Sequence, residues 1–326
     1  MRELSHATRS DTKHESGFFC RSESGCCFFH DELTIVEFAI VSTAKEAKML
    51  IHDDPNADNS ADILSLINDR RILPEGVYYC QRPLYVPNKS IVGEGTELRF
   101  PQMKDASYCI AWAGAKNRIM SGISVVGPTQ GECLGPTRSD RIYQHGIVVR
   151  DCTDCSIHDV TCSNHVCQGF NFSACAGLTI SLCTANGTGR DGIFFSRCHD
   201  VQLTYCDAYI NGDDSIAMWS CAKFLLTCCQ IIQRWKPGDD NRMGCGMRIG
   251  SGSDITLRNC SIANTVKAGI HLMRDSYATP TGPECDAISI ARVQFSDIAK
   301  YNGPLWPRQA TGQIVTGKST RVQISQ

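Results

Sequence analysis

Residues 191–213, "DGIFFSRCHDVQLTYCDAYINGD", run directly into residues 214–233, "DSIAMWSCAKFLLTCCQIIQ". Laid one above the other without a gap, the two segments share a pattern. Ile193 meets Ile216, Phe195 meets Met218, Cys198 meets Cys221, Leu203 meets Leu226 and Cys206 meets Cys229. In each segment the apolar residues occupy alternate positions in short runs. A period of two marks strands with one buried face. The runs are separated by Asn, Asp, Gly and Ser, the residues of tight turns.

The pattern extends in both directions. Repeats begin at Gly146, Gly169, Gly192, Ser215, Gly246 and Gly269, at spacings of 23, 23, 23, 31 and 23 residues. The long interval contains the polar stretch "QRWKPGDD", which reads as an inserted loop; without those eight residues the spacing returns to 23. Three inward pairs recur in each repeat, as in Phe170/Phe172, Leu178/Ile180 and Cys183/Ala185. Three short strands per repeat describe one coil of a parallel β-helix. The expected fold class is therefore all-β, a single solenoid of about 23 residues per coil.

This period also accounts for the cysteines. Cys183, Cys206, Cys229 and Cys260 hold one inward position on four successive coils, and Cys152, Cys175, Cys198 and Cys221 form a second column. They read as stacked free thiols filling the core, with disulfides and metal binding as lesser readings. Reduced thiols favour folding in a cytoplasm. The N-terminal "MRELSHATRSDTKHE" has no apolar core and reads as no signal peptide.

The flanks divide the chain. Residues 53–326 are assigned to the β-helix, with "SADILSLIN" as a short capping helix over its open N-terminal end and Ser60 as the N-cap. Residues 1–52 are assigned to an extension or cap, and the pair "CCFF" within them reads as packed strand. Residues 127–142, "GPTQGECLGPTRSDRI", form a polar loop between coils. His165 and His199 read as solvated turn residues.

Net charge is −2, with Lys and Arg scattered, which argues against nucleic acid as a partner. The longest apolar run, "LTIVEFAIV", is interrupted by Glu37, so no membrane span is expected.

A fixed period stacks residues of equal offset. One position before each repeat start the column reads His145, Gln168, Asp191, Asp214, Cys245, Ala268. Two positions before, it reads Gln144, Cys167, Arg190, Asp213, Gly244, Lys267. Asp191, Asp213 and Asp214 thus converge on one patch, expected to be exposed. Arg190, Arg248, Lys267 and His271 lie around it, with Trp219 further along the strand. Crowded carboxylates raise one another's pKa, which supplies a protonated acid beside an ionised base, as glycosidic bond cleavage requires. The surrounding cations suit an acidic sugar, and a groove along the solenoid suits a linear chain.

"LPEGVYY", "PLYVP" and "IVGEGTELRF" resemble the opening of the right-handed parallel β-helices of the pectate-lyase-like superfamily, a resemblance covering roughly residues 53–300. "GRDGIFF" followed by "NGDDSIAM" resembles the polygalacturonase family of glycoside hydrolases. That resemblance implies inverting hydrolysis carried by Asp191, Asp213 and Asp214, with Asp214 as general acid and no cofactor. The residues that the column positions place around the trio, Arg190, Arg248, Lys267, His271 and Trp219, are expected to bind the substrate. Cys245 stands where the family has a histidine, and His271 and Met273 stand where it has arginine and lysine, so the substrate-binding shell differs.

Two other readings use the same scaffold. A polysaccharide lyase or uronate epimerase would give the aspartates a Ca²⁺ ion and use Lys267, Arg248 or His271 as base or acid. A non-catalytic glycan-binding β-helix, such as a phage tailspike segment, would bind without cutting. All three take a polysaccharide as partner, as a monomer or homotrimer. They imply an extracellular or virion-associated location after folding in a reducing cytoplasm.

Overall fold

The structure is a computed structural model and describes residues 54–103, 105–128, 144–233, 244–274, 285–298, 313–316 and 321–325. The expectations for residues 1–52, for most of the 127–142 loop and for most of "QRWKPGDD" lie outside the described residues.

Two parallel sheets wrap one core. The first takes one strand from each coil in chain order: Leu84–Pro87, Tyr108–Ala113, His145–Arg150, Phe170–Ser173, Ile193–Ser196, Ile216–Trp219, Met247–Gly250, Ile270–Met273 and Ile314–Thr316. Ile193 pairs with Ile216 and Met218 with Ile249, so the register holds across the 31-residue interval. The chain is a right-handed parallel β-helix, as parallel crossovers of L-residues demand.

The second sheet shows one departure from three strands per coil. Ile119–Val126 and Ser156–Ser163 each run as one long strand. The next coil breaks into Ala176–Ser181 and Thr184–Asn186, with Leu182 at the break in a left-handed conformation, φ 53°.

The inward pairs are buried as their alternation predicts. Phe172 and Phe195 stack with ring centroids 4.7 Å apart, and Phe224 meets Phe195 edge-on at 5.1 Å. Each such buried side chain contributes roughly 1.5–3 kcal/mol. Both thiol columns are buried and free of disulfides. Cys183, Cys206 and Cys229 direct their sulfurs at the carbonyls of Ile157, Ile180 and Leu203, 3.6–3.7 Å away. These thiols are packing units that also cap main-chain acceptors.

Close stacking explains the glycines at the repeat starts. A Cβ on Gly246 would lie 2.6 Å from the carbonyl oxygen of Gly269. The corners have a separate requirement. Asp159, Leu182, Tyr205, Cys228, Asn259 and Arg292 stand at one corner of six coils, all with φ between 49° and 56°. Asn and Asp tolerate this region; Leu and Tyr do not favour it.

Helix Ser60–Asn68 buries Ile63, Leu66 and Ile67 at the N-terminal end of the solenoid. Asn59, not Ser60, holds the N-cap position. Ser60 is drawn into the first turn, where its backbone N–H and its hydroxyl both donate to Asp58 Oδ1. His165 also departs from expectation. It is fully buried, with Nε2 3.0 Å from the Val125 carbonyl and Nδ1 3.8 Å from Cys109 Sγ. Burial lowers its pKa to about 4. His199 is exposed and opens a strand rather than lying in a turn.

Leu182 is 51% exposed, so little packing offsets its left-handed conformation. Leu182→Asn is expected to stabilise the fold by about 1 kcal/mol in urea unfolding, while Asn259→Leu, at the same corner, shifts the midpoint the other way. Equal midpoints for both variants would show that corner conformation does not limit stability.

A buried carboxylate cluster as candidate active site

The cluster forms at the corner that leads into the nine-stranded sheet. Here the coil-to-coil ladder continues through the turn. Arg190 N–H donates to Cys167 O, Asp213 N–H to Arg190 O and Lys267 N–H to Gly244 O. One position on, Gly169 N–H donates to Asp191 O and Gly192 N–H to Asp214 O. Both columns are therefore held in register by backbone bonds. Glycines permit the close approach: a Cβ on Gly212 would lie 2.3 Å from Gly189 O, and one on Gly244 would lie 1.9 Å from Asp213 O.

Carboxylate oxygens of Asp191, Asp213 and Asp214 come within 4.8 Å of one another. The trio is buried rather than exposed as expected, with Asp191 at 5%, Asp213 at 7% and Asp214 at 2%. The corner folds inward because its polar side chains bond to each other and to the backbone. Thr188 Oγ1 donates to Arg190 O at 2.8 Å, and Gln233 Nε2 donates to Asp213 O and Cys245 O.

Each carboxylate has a different set of partners. Asp191 Oδ2 accepts from Gln168 Nε2 at 2.8 Å, and Gln168 Oε1 in turn accepts from Asn171 Nδ2 at 2.5 Å. Asp191 Oδ1 accepts from the Asp214 N–H at 3.3 Å. Asp214 Oδ1 accepts from the Cys245 N–H at 2.7 Å, and its Oδ2 lies 3.0 Å from Arg248 Nε. Asp213 Oδ2 lies 3.9 Å from Arg190 Nη2, while its Oδ1 has no hydrogen-bond partner among the described residues.

Burial raises the Asp191 pKa to about 6, helped by the charge of Asp213 and opposed by the bond from Gln168. Burial also raises Asp214, against the pull of Arg248. Burial opposes the Arg248 charge too, but Asp214 beside it lifts the guanidinium pKa above its ordinary value. Asp191 and Asp214 therefore hold protons to higher pH than solvated aspartates do.

The expected cations are present around the trio. Arg190 and Arg248 contact it directly. Lys267 is buried, and burial lowers its pKa. His271 pairs in register with Arg248, and burial, Arg248 and Lys267 all lower its pKa. Trp219 lies on the same outward face, four residues beyond Ser215. Cys245 contributes its backbone N–H; burial and Asp214 push its thiol up to about 12, so it exchanges no proton near neutral pH. Gln168, Asn171 and Gln233 were not singled out from the sequence, although Gln168 stands in the same column as Asp191, one coil earlier.

The donor set fits calcium poorly. Every oxygen of Asp191 and Asp214 already faces an N–H or a guanidinium, and calcium calls for six to eight oxygen ligands.

Residues 145–322 match the family model described as right handed beta helix region, more than half of the 326-residue chain. The chain belongs to that family. Among solved structures, the enzymatically active domain of tailspike protein 2 from bacteriophage CBA120 aligns with a TM-score of 0.59 at 14% identity, over 82% of this chain and 45% of that one. ORF18 of Geobacillus virus E2 aligns with a TM-score of 0.60 at 11% identity, over 76% of this chain and 52% of that one. The chain thus spans about half the length of these two β-helix proteins, and the likeness is one of fold. No curated protein matches it. Among the described residues no helix is long and apolar enough to cross a membrane.

The raised Asp191 pKa has a consequence for stability. Between 3.8, the ordinary value, and about 6 the folded chain keeps a proton that the unfolded chain releases. Stability therefore falls as pH rises across that window and levels off above it. Asp191→Asn removes this titration and is expected to flatten the pH dependence of urea unfolding between pH ~4 and ~6, by up to about 3 kcal/mol. A slope unchanged from the parent protein would show that Asp191 is not the proton holder.

Proposed function

We propose that this protein is a polysaccharide-cleaving glycoside hydrolase whose reaction centre is Asp191, Asp213 and Asp214. The observation that carries the reading is a buried trio of carboxylates, flanked by Arg190 and Arg248, in which burial raises the pKa of Asp191 and of Asp214. The similarity to a tailspike domain named as enzymatically active supports it at the level of fold.

Geometry favours Asp213 over Asp214 as the group that delivers the proton. Asp214 Oδ1 accepts from the Cys245 N–H and its Oδ2 is ion-paired with Arg248, whereas Asp213 Oδ2 has only Arg190, 3.9 Å away, and the Asp213 side chain is the more exposed of the two, 9% against 2%. Asp214, neutralised by Arg248, and Asp191, oriented by Gln168, then polarise the attacking water. With the oxygens of Asp191 and Asp214 engaged by donors or by Arg248, neither attacks the sugar; on this reading water is the nucleophile and the product anomer is inverted. The trio's 4.8 Å span is shorter than the gap of about 6.5–9.5 Å usual for inverting pairs. On this reading the water lies beside the trio rather than between its members.

The reaction is a displacement at the anomeric carbon. The C–O bond to the leaving sugar breaks as its oxygen takes the proton from Asp213. Water forms the new C–O bond and gives its proton to Asp191, which is ionised above about pH 6. Arg190, Arg248, Lys267 and His271 would hold the carboxylates of an acidic sugar.

The test is incubation with acidic polysaccharides, scored for reducing ends, ultraviolet-absorbing products and, by NMR, the first-formed anomer. Reducing ends with the inverted anomer and no ultraviolet product are expected. Asp213→Asn should lower kcat by about 10²–10⁴ with binding retained, and Asp191→Asn should remove the acid limb of the pH–rate profile near pH 6. Ultraviolet-absorbing products would identify a lyase; binding without any cleavage would identify a glycan-binding protein.

A further inference from the structure

Trp219 points outward from the nine-stranded sheet, where aromatic side chains have no core to fill. Its neighbours in register are Ser196 on one side and Gly250 on the other. A Cβ on Gly250 would lie 2.2 Å from Trp219 Cε3 and 2.4 Å from Cζ3. The benzo half of the indole is therefore laid down on the Gly250 backbone instead of standing off the sheet. Only glycine leaves room for this. The indole is half-buried, so part of it faces outward.

Two other outward side chains lie further back along the same face. Phe194 and Arg248 pair with Ala217 from opposite sides, two residues before Trp219 along the strand. Ala217 points outward yet is only 1% exposed. From Asp214 to Trp219 is five residues, about 16 Å along an extended strand. An aromatic surface, a cation and the carboxylate trio thus follow one another along the strand direction.

We propose that Trp219, seated on Gly250, is a sugar-ring platform remote from the scissile bond, and that the polysaccharide crosses the sheet along the strands from the aspartates past Arg248 to the indole. The platform takes a pyranose with an apolar C–H face. A rigid, flat aromatic offers that face large contact at little entropic cost. This proposal rests on the polysaccharide reading of the site but not on hydrolysis. It also changes the expected direction of the chain, which the repeat alone would run along the solenoid axis.

The experiment uses alginate, polygalacturonate, hyaluronan and chondroitin oligosaccharides, from disaccharides to octasaccharides. KM and kcat are measured on the full chain, and Kd is measured by calorimetry on the Asp213→Asn protein. Trp219→Ala is expected to raise KM and Kd about tenfold for octasaccharides, with kcat within about twofold. For disaccharides, too short to span the distance, it should change nothing. Gly250→Ala should reproduce the loss by lifting the indole, and Trp219→Phe should restore most of the affinity. Melting temperatures show that the variants are folded; if Gly250→Ala melts early, the Trp219 variants decide the matter. Octasaccharide binding unaltered in Trp219→Ala overturns the platform while leaving hydrolysis standing. Trp219-dependent binding without cleavage leaves the platform and sinks hydrolysis. A parent protein that binds none of these glycans overturns both.

Discussion

The backbone ladder that continues through the corner before each strand of the nine-stranded sheet determines the rest of this molecule. In most folds a turn leaves the hydrogen-bonded register and its side chains are placed by local packing. Here Cys167, Arg190 and Asp213 are linked carbonyl to amide from coil to coil, as are Gln168, Asp191 and Asp214 through their following glycines or serine. Residues 23 apart in sequence are held about 4.8 Å apart in space. The chain cannot relieve the repulsion among its aspartates by sliding, because any slip would break the ladder above and below.

That constraint explains how buried like charges persist. Desolvating a carboxylate costs several kcal/mol unless donors replace the lost water. Asp191 receives Gln168 and a backbone amide, and Asp214 receives a backbone amide and Arg248. Asp213 is left with a distant guanidinium and a buried oxygen that has no hydrogen-bond partner among the described residues. The cost is thus concentrated on one atom, at the most exposed member of the trio. A cluster selected only for stability would have satisfied that atom or replaced it with an apolar group, since isosteric apolar replacements are often neutral or better.

Much of the architecture is legible in the sequence, because a solenoid repeats its physical demands at a fixed interval. The inward pairs, the thiol columns and the 31-residue interval all follow from alternation and period. What escapes is whatever the repeat does not encode. Leu182 and Tyr205 occupy a left-handed corner that Asp159 and Asn259 fill elsewhere, and nothing in their chemistry announces it. His165 looks like a turn residue by its neighbours, yet the corner carries it inward beside Cys109 and Val125. Column arithmetic brings the three aspartates together correctly but cannot report their depth, which depends on side chains such as Gln233 reaching across 20 residues to the Asp213 carbonyl.

Cys245 illustrates the division between scaffold and chemistry. Where the polygalacturonase pattern has histidine, this chain has a thiol that burial holds protonated. Its amide still reaches Asp214 at 2.7 Å, because that bond belongs to the backbone and survives any side chain in this position. The positioning of Asp214 is therefore a property of the coil, independent of the side chain at 245. The thiol itself adds no titrating group near neutral pH, and an imidazole enters the region instead from His271, in register with Arg248.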